Sequence, residues 1–109
     1  MSSNPLKRLE KEYSLLILQY LHFNPKGRSF EQICTAIGCK KPSIALSRLN
    51  DLHEFGLVYR EMGEGGIENH YVLTKRGRRA SELVWDLFHI IQSFAEDDQG
   101  RDDLLRFYR

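Results

Sequence analysis

What most restricts the folding of this chain is its punctuation between Asn24 and Gly56. The run Asn24-Pro25-Lys26-Gly27 stops whatever regular structure precedes it, because Pro removes a donor and Gly loosens the backbone. Ser29 stands three residues before Gln32, the spacing at which a hydroxyl and an amide satisfy each other's backbone groups at a helix start. Phe30, Ile33, Cys34 and Ile37 follow at helical intervals. Gly38 is placed to end this helix in the left-handed region. Four residues on, Pro42 suits the first position of a second helix, whose inward stripe is Ala45, Leu49 and Leu52 and whose end is Gly56. Two short helices joined by a tight glycine-containing turn make a helix-turn-helix.

The flanking elements follow by the same reasoning. Asn4 before Pro5 predicts a helix start, and Leu6, Leu9, Tyr13, Leu16, Ile17, Tyr20 and Leu21 predict one amphipathic helix from about residue 4 to 23. Leu57 to Arg60 reads as a strand, Gly63 to Gly66 as a turn, and Ile67 to Leu73 as a returning strand with Tyr71 and Leu73 inward. This two-stranded hairpin directly after the helix-turn-helix is a wing. Thr74 caps a last long helix over about 75–94, with a stripe of Ala80, Leu83, Val84, Leu87, Ile90, Ile91 and Phe94 that Trp85 and Phe88 widen. One small domain cannot cover so wide an apolar face. A second copy of the chain is the natural cover, so Leu83, Val84, Leu87, Phe88, Ile90, Ile91 and Phe94 are the expected homodimer interface. The expected fold is mainly α with a small β-hairpin wing: one winged helix-turn-helix domain over 1–94, including the dimerisation helix, and an acidic tail over 95–109. That tail ends in Leu104, Leu105, Phe107 and Tyr108, a pattern open to one or two helical turns or to disorder.

Composition narrows the function. The net charge of +1 conceals an asymmetry: residues 1–81 carry 13 Lys/Arg against 8 Asp/Glu, and residues 82–109 carry 3 against 7. A basic body with an acidic end fits a body that meets an anion. Two cysteines form no disulfide framework, no run is long and apolar enough to span a membrane, and the N-terminal residues lack a leader's apolar stretch. The expectation is a cytoplasmic protein with no membrane partner. The four histidines show no metal-ligand spacing, and no phosphate-binding glycine loop, acid pair or nucleophile motif is present, so neither a cofactor, a metal nor catalysis is expected.

The stretches KEYSLLILQYL, SFEQI, SIALSRLNDLHEFGLVYR and HYVLTKRGRR together resemble the HxlR family of winged-helix regulators, within the broader MarR-like group. The correspondence runs over about residues 10–94, through Tyr13 to Leu18, Phe30 to Ile33, Arg48 to Val58 and Tyr71 to Gly77. It implies a non-enzymatic transcription regulator acting as a homodimer on an inverted repeat in double-stranded DNA. The sequence departs from the family pattern in three ways: it lacks the N-terminal Cys-Pro pair, has Lys41 where the family has Ser, and carries an acidic wing with Glu61, Glu64 and Glu68.

Residue roles follow from helix geometry. At 100° per residue, Ser43, Ser47, Asn50 and Glu54 lie opposite the inward stripe, with Ile44, Arg48 and Asp51 on the flanks. Ser43, Ser47, Asn50 and Arg48 are the expected base or phosphate contacts, and Ile44 suits a thymine methyl. Lys40 and Lys41 before this helix, Lys26, Arg28 and Ser29 before the preceding one, and Arg60 on the wing strand are the expected phosphate contacts. The run Lys75, Arg76, Arg78 and Arg79 fits either an anionic partner or salt bridges to Glu82, Asp86 or a partner's tail. Cys34 reads as core. Cys39, beside Lys40 and Lys41, reads as a turn residue, with a reactive thiol as the alternative. Two other functions remain open on this fold: a protein-interaction module, which an apolar outward face of the second helix would favour, and a thiol- or ligand-sensing regulator.

Overall fold

The computed structural model describes residues 4–62 and 69–96. The chain forms α1 (Pro5–Leu9), α2 (Ser14–His22), β1 (Arg28–Ser29), α3 (Phe30–Ile37), α4 (Pro42–Glu54), β2 (Val58–Met62), β3 (Asn69–Leu73) and α5 (Lys75–Glu96). This is a winged helix-turn-helix. Helices α3 and α4 form the motif, and a small antiparallel sheet in the order β1-β3-β2 forms the wing. The expected wing turn at 63–66, Ile67 and Glu68 of the expected returning strand, and residues 97–109 of the tail expected over 95–109 lie outside the described residues, while residues 95 and 96 continue α5.

Local signals act where the sequence placed them. Asn4 caps α1 by accepting from the Leu6 N–H. Ser29 and Gln32 form the reciprocal capping box of α3. Gly38 and Gly56 sit at φ 71° and 74°, ending α3 and α4. Beneath them one core gathers Ile17, Leu18 and Leu21 of α2, Ile33 and Ile37 of α3, Ala45, Leu49 and Leu52 of α4, Leu57 just before β2, and Val58, Tyr71 and Leu73 of the sheet. Each large aliphatic side chain buried there contributes about 1.5–3 kcal/mol relative to exposure.

Two expectations are corrected. The first helix is broken: α1 ends at Leu9, Tyr13 takes a left-handed φ of 77°, and α2 begins at Ser14. No Gly or Pro marks the break, and the apolar spacing runs straight through it. The reversal has a long-range partner: it sets Arg8 against α4, as described below. The wing also has three strands, not two. Arg28 and Ser29 pair with Tyr71 and His70, an added strand too short to show any alternation in sequence.

The start of α5 is fixed by contact with the end of α4. The Thr74 N–H donates to the Leu57 carbonyl at 3.0 Å. The Thr74 hydroxyl donates to the Gly56 carbonyl and accepts from the Gly77 N–H. A Cβ on Gly77 would fall 1.9 Å from the Leu57 oxygen, so only glycine lets the helix approach this closely. Gly77→Ala is therefore expected to lower unfolding free energy by about 1–3 kcal/mol or more. Urea denaturation of the two proteins measures it, and an unchanged midpoint contradicts the packing account.

Candidate nucleic-acid interface

Helix α4 turns Ala45, Leu49 and Leu52 into the core, so its opposite stripe faces out. Ser43, Ser47 and Asn50 are exposed there, and Leu46 beside them is 43% exposed. Ile44 is half-buried against the core. Lys41 is the N-cap residue but offers no side-chain acceptor to the helix start, and Pro42 occupies the first turn. The positive end of the helix dipole is thus left without a side-chain cap beside two exposed lysines, Lys40 and Lys41.

The flank of α4 is tied down. Arg8 donates from Nη2 to both Asp51 Oδ1 and Glu54 Oε2, at 2.5 and 2.6 Å, and its guanidinium lies 4.7 Å from the centre of the Phe55 ring. Arg48 reaches the other oxygen of Asp51 at 3.3 Å, its side chain 16% exposed. Arg48 is therefore partnered within the fold. Among the described residues its buried Nε has no hydrogen-bond partner. Burial pushes the Asp51 carboxyl upward, but the bonded Arg8 guanidinium, with Lys11 and Arg48 nearby, outweighs this and holds it below the usual carboxylate range. The sequence showed none of this clamp, because Arg8 lies 43 residues from Asp51 and the pairing depends on the reversal at Tyr13.

The third strand assembles a second row. Arg28 and Arg60 both stand opposite Tyr71, one on each side of β3. In-register neighbours share a face, so the two arginines flank Tyr71 about 10 Å apart, two strand spacings. The Arg60 guanidinium lies 5.7 Å from the Tyr71 ring centre. The Ser29 hydroxyl is engaged in its capping box, while Lys26 is exposed in the turn before β1. On α5, Arg79 pairs with Glu82 at 3.3 Å, both exposed.

The expected interface on α5 divides. Val84 packs with Ala80 on the protein's own core, and Phe94 is half-buried. Leu83, Leu87, Phe88, Ile90 and Ile91 are 40–66% exposed along the helix. Behind them Trp85 stacks on Phe88 and meets Phe23 edge-on at 4.8 Å, joining α5 to the end of α2. Ser81 donates to the Arg78 carbonyl, so its oxygen accepts from His22 Nδ1 at 2.9 Å, a second tie between these helices. Among the described residues, no helix is long and apolar enough to cross a membrane, and no group of three or more His, Cys, Asp or Glu side chains could hold a metal ion.

Comparison with known proteins adds to this geometry. No family model and no curated protein matches the chain. Solved structures do. A possible HxlR family transcriptional factor from Thermoplasma volcanium GSS1 aligns with a TM-score of 0.74 and 26% identity, over 87% of this chain and 84% of that one. The reduced form of the transcriptional regulator YodB from B. subtilis aligns with a TM-score of 0.64 and 22% identity, over 84% of each chain. The S. aureus MepR–DNA complex aligns with a TM-score of 0.67 and 17% identity, over 94% of this chain and 87% of that one. At the last two identities the likeness is one of fold.

The clamp predicts a pH dependence. The folded-state value of Asp51 is depressed, so its contribution to stability is present above the unfolded value and is lost as pH falls through the folded one. Asp51→Asn should lower the melting temperature at pH 7 and flatten its fall between about pH 5 and pH 2 relative to the native protein. Parallel melting curves for the two proteins over that range contradict the assignment.

Proposed function

We propose that this HxlR-like winged helix-turn-helix protein, of the broader MarR-like group, is a transcription regulator that binds double-stranded DNA as a homodimer and acts without catalysis. The observation that carries the reading is the outward stripe of α4: Ser43, Ser47 and Asn50 exposed in a row, at a helix start left without a side-chain cap beside Lys40 and Lys41. Short polar side chains on a helix of this position suit base edges in the major groove, and Asn can pair both adenine groups at once. The helix start and its lysines suit a phosphate. Lys26, Arg28 and Arg60 add phosphate contacts that hold the body on the duplex without reading sequence. Arg48 reaches DNA only by exchanging Asp51 for a base or phosphate, Ile44 offers at most its outer edge to a thymine methyl, and Ser29 contributes chiefly by holding α3. The MepR structure solved with DNA, on a similar fold, supports the reading.

Leu83, Leu87, Phe88, Ile90 and Ile91 form the seam with a second copy, to which Leu15 and Leu16 of α2, 39% and 48% exposed, are candidates to add. A two-fold axis through this seam presents two α4 helices to half-sites about one DNA turn apart, so the operator is an imperfect inverted repeat. Residues 75–94 are the dimerisation part of a single domain over 1–94, and the protein works in the cytoplasm.

Two measurements test this. Fluorescence anisotropy with genomic fragments across a salt series should give steeply salt-dependent binding. Lys41→Ala should weaken binding to all sequences alike and lower the slope of log affinity against log salt by about one; unchanged affinity and slope would remove Lys41 from the phosphate contacts. In sedimentation, the native chain should run as a dimer at micromolar concentration. Leu87→Glu should yield monomer or insoluble chain, since the charge would be buried at the seam. A native monomer contradicts the homodimer.

A further inference from the structure

The last turn of α3 and the link to α4 carry one sulfur atom each, Cys34 and Cys39, that the function proposed above does not use. The Gly38 N–H donates to the Thr35 carbonyl at 3.3 Å, and the Cys39 N–H donates to the Cys34 carbonyl at 3.0 Å. With Gly38 left-handed, this is the doubly bonded helix ending in which the side chains of the first and last residues meet. Helix α4 ends in the same way: the Leu57 N–H donates to the Leu52 carbonyl, Gly56 is left-handed, and Leu52 and Leu57 are both buried in the core. At the end of α3 the two equivalent positions hold cysteines.

The spacing suits a bridge. With the Cys39 nitrogen 3.0 Å from the Cys34 oxygen, standard bond lengths and the bent geometry of the carbonyl limit the two Cα atoms to about 6.9 Å. Real angles bring them nearer, and disulfides join Cα atoms about 4.4–6.8 Å apart. Cys39 is 7% exposed within the core, and Cys34 is half-buried against it. Burial pushes the Cys34 thiol up, and the neighbouring Cys39 adds to that rise, so Cys34 suits the second, resolving step better than the first attack. An open cleft of about 270 Å³, lined by Tyr13, Gly38, Cys39, Lys40 and Lys41 among others, leads to the Cys39 side.

We propose that Cys34 and Cys39 are an oxidisable dithiol, which a hydroperoxide closes into an intramolecular disulfide across the helix-turn-helix turn, weakening DNA binding. In the first step a thiolate attacks hydrogen peroxide: the O–O bond breaks, sulfur gains OH as a sulfenic acid, and hydroxide leaves. In the second, the other thiol's sulfur displaces that OH as water, taking up the thiol proton, and the S–S bond forms. Two sulfurs lose one electron each, and the peroxide is reduced to water. The cost falls on α4. The Cys39 thiol now donates to the Lys41 carbonyl at 3.2 Å. The same carbonyl accepts from the Ile44 and Ala45 N–H groups that open the recognition helix. A disulfide has no hydrogen to donate, so oxidation removes this tie and draws Cys39 toward α3.

The effect on DNA rests on the function proposed above; the disulfide does not. The full chain is treated with hydrogen peroxide, its remaining thiols are alkylated, and its peptides are mapped by mass. The expected result is a two-hydrogen loss joining Cys34 to Cys39, at monomer mobility on a non-reducing gel, reversed by dithiothreitol and absent in Cys34→Ser. Anisotropy should show affinity for DNA lower by about fivefold or more in the oxidised protein, restored on reduction. Two free thiols after treatment, or a bridge between subunits, overturns the pair. A disulfide that leaves affinity unchanged overturns its link to binding. A disulfide in a protein that binds no DNA even when reduced upholds the dithiol, overturns its regulatory effect, and counts against the function proposed above.

Discussion

The arrangement of the whole molecule depends on the approach of α5 to the Leu57 carbonyl. That oxygen accepts the Thr74 N–H, and the Gly77 Cα lies so near it that no side chain fits between them. Thr74 closes the joint by bonding Gly56 on one side and Gly77 on the other. The last residues of the helix-turn-helix and the first turn of the longest helix are thereby held together by hydrogen bonds and a close backbone contact. Helix α5 has 22 residues and runs about 33 Å. A small rotation at its base would move its far end considerably, so a close joint matters more here than in a short element. Any partner seated on α5 is held at a fixed angle to α4 through these few bonds.

That joint was legible in sequence only in part. The Thr74 cap, the Ser29–Gln32 box, Gly38, Gly56 and Pro42 were readable because each acts within about four residues, where spacing alone decides the bond. The need for glycine at 77 comes from a carbonyl twenty residues earlier, and spacing does not reveal it. The break at Tyr13 and the strand at Arg28 and Ser29 are hidden for the same reason. The first is held by Arg8 reaching Asp51 and Glu54, the second by pairing with Tyr71 and His70. The outward positions of α4 were readable because the periodic core stripe fixes the opposite face. The fate of Arg48 was not, because its flank becomes buried only when α1 folds back.

Charge on α4 follows from this. The helix carries Asp51 and Glu54 against one arginine, an unhelpful balance for an element that, on the function proposed above, enters a groove lined by phosphates. Arg8 covers both carboxylates from outside the helix. The fold thus supplies in three dimensions a neutralisation that the helix lacks in sequence. What the helix presents outward is then mainly hydroxyl and amide, with positive charge gathered at Lys40 and Lys41 before it. On the DNA-binding reading proposed above, affinity and selectivity would fall to different residues.

The two sides of α5 show how a small domain can serve two purposes with one core. Ala80 and Val84 complete the interior, and Trp85 with Phe23 and the His22–Ser81 bond fasten the helix to α2. These contacts use little of its circumference. Leu83, Leu87, Ile90 and Ile91 remain in water at a cost of about 25 cal/mol for each Å² of apolar surface that a partner would otherwise cover. A stretch of aliphatic side chains this continuous is rarely left open on a lone chain. Because the base of the same helix is locked to the end of α4, covering that surface with a second copy would also fix the distance between two recognition helices. The stability of the dimer and the spacing of its half-sites would then share one structural cause.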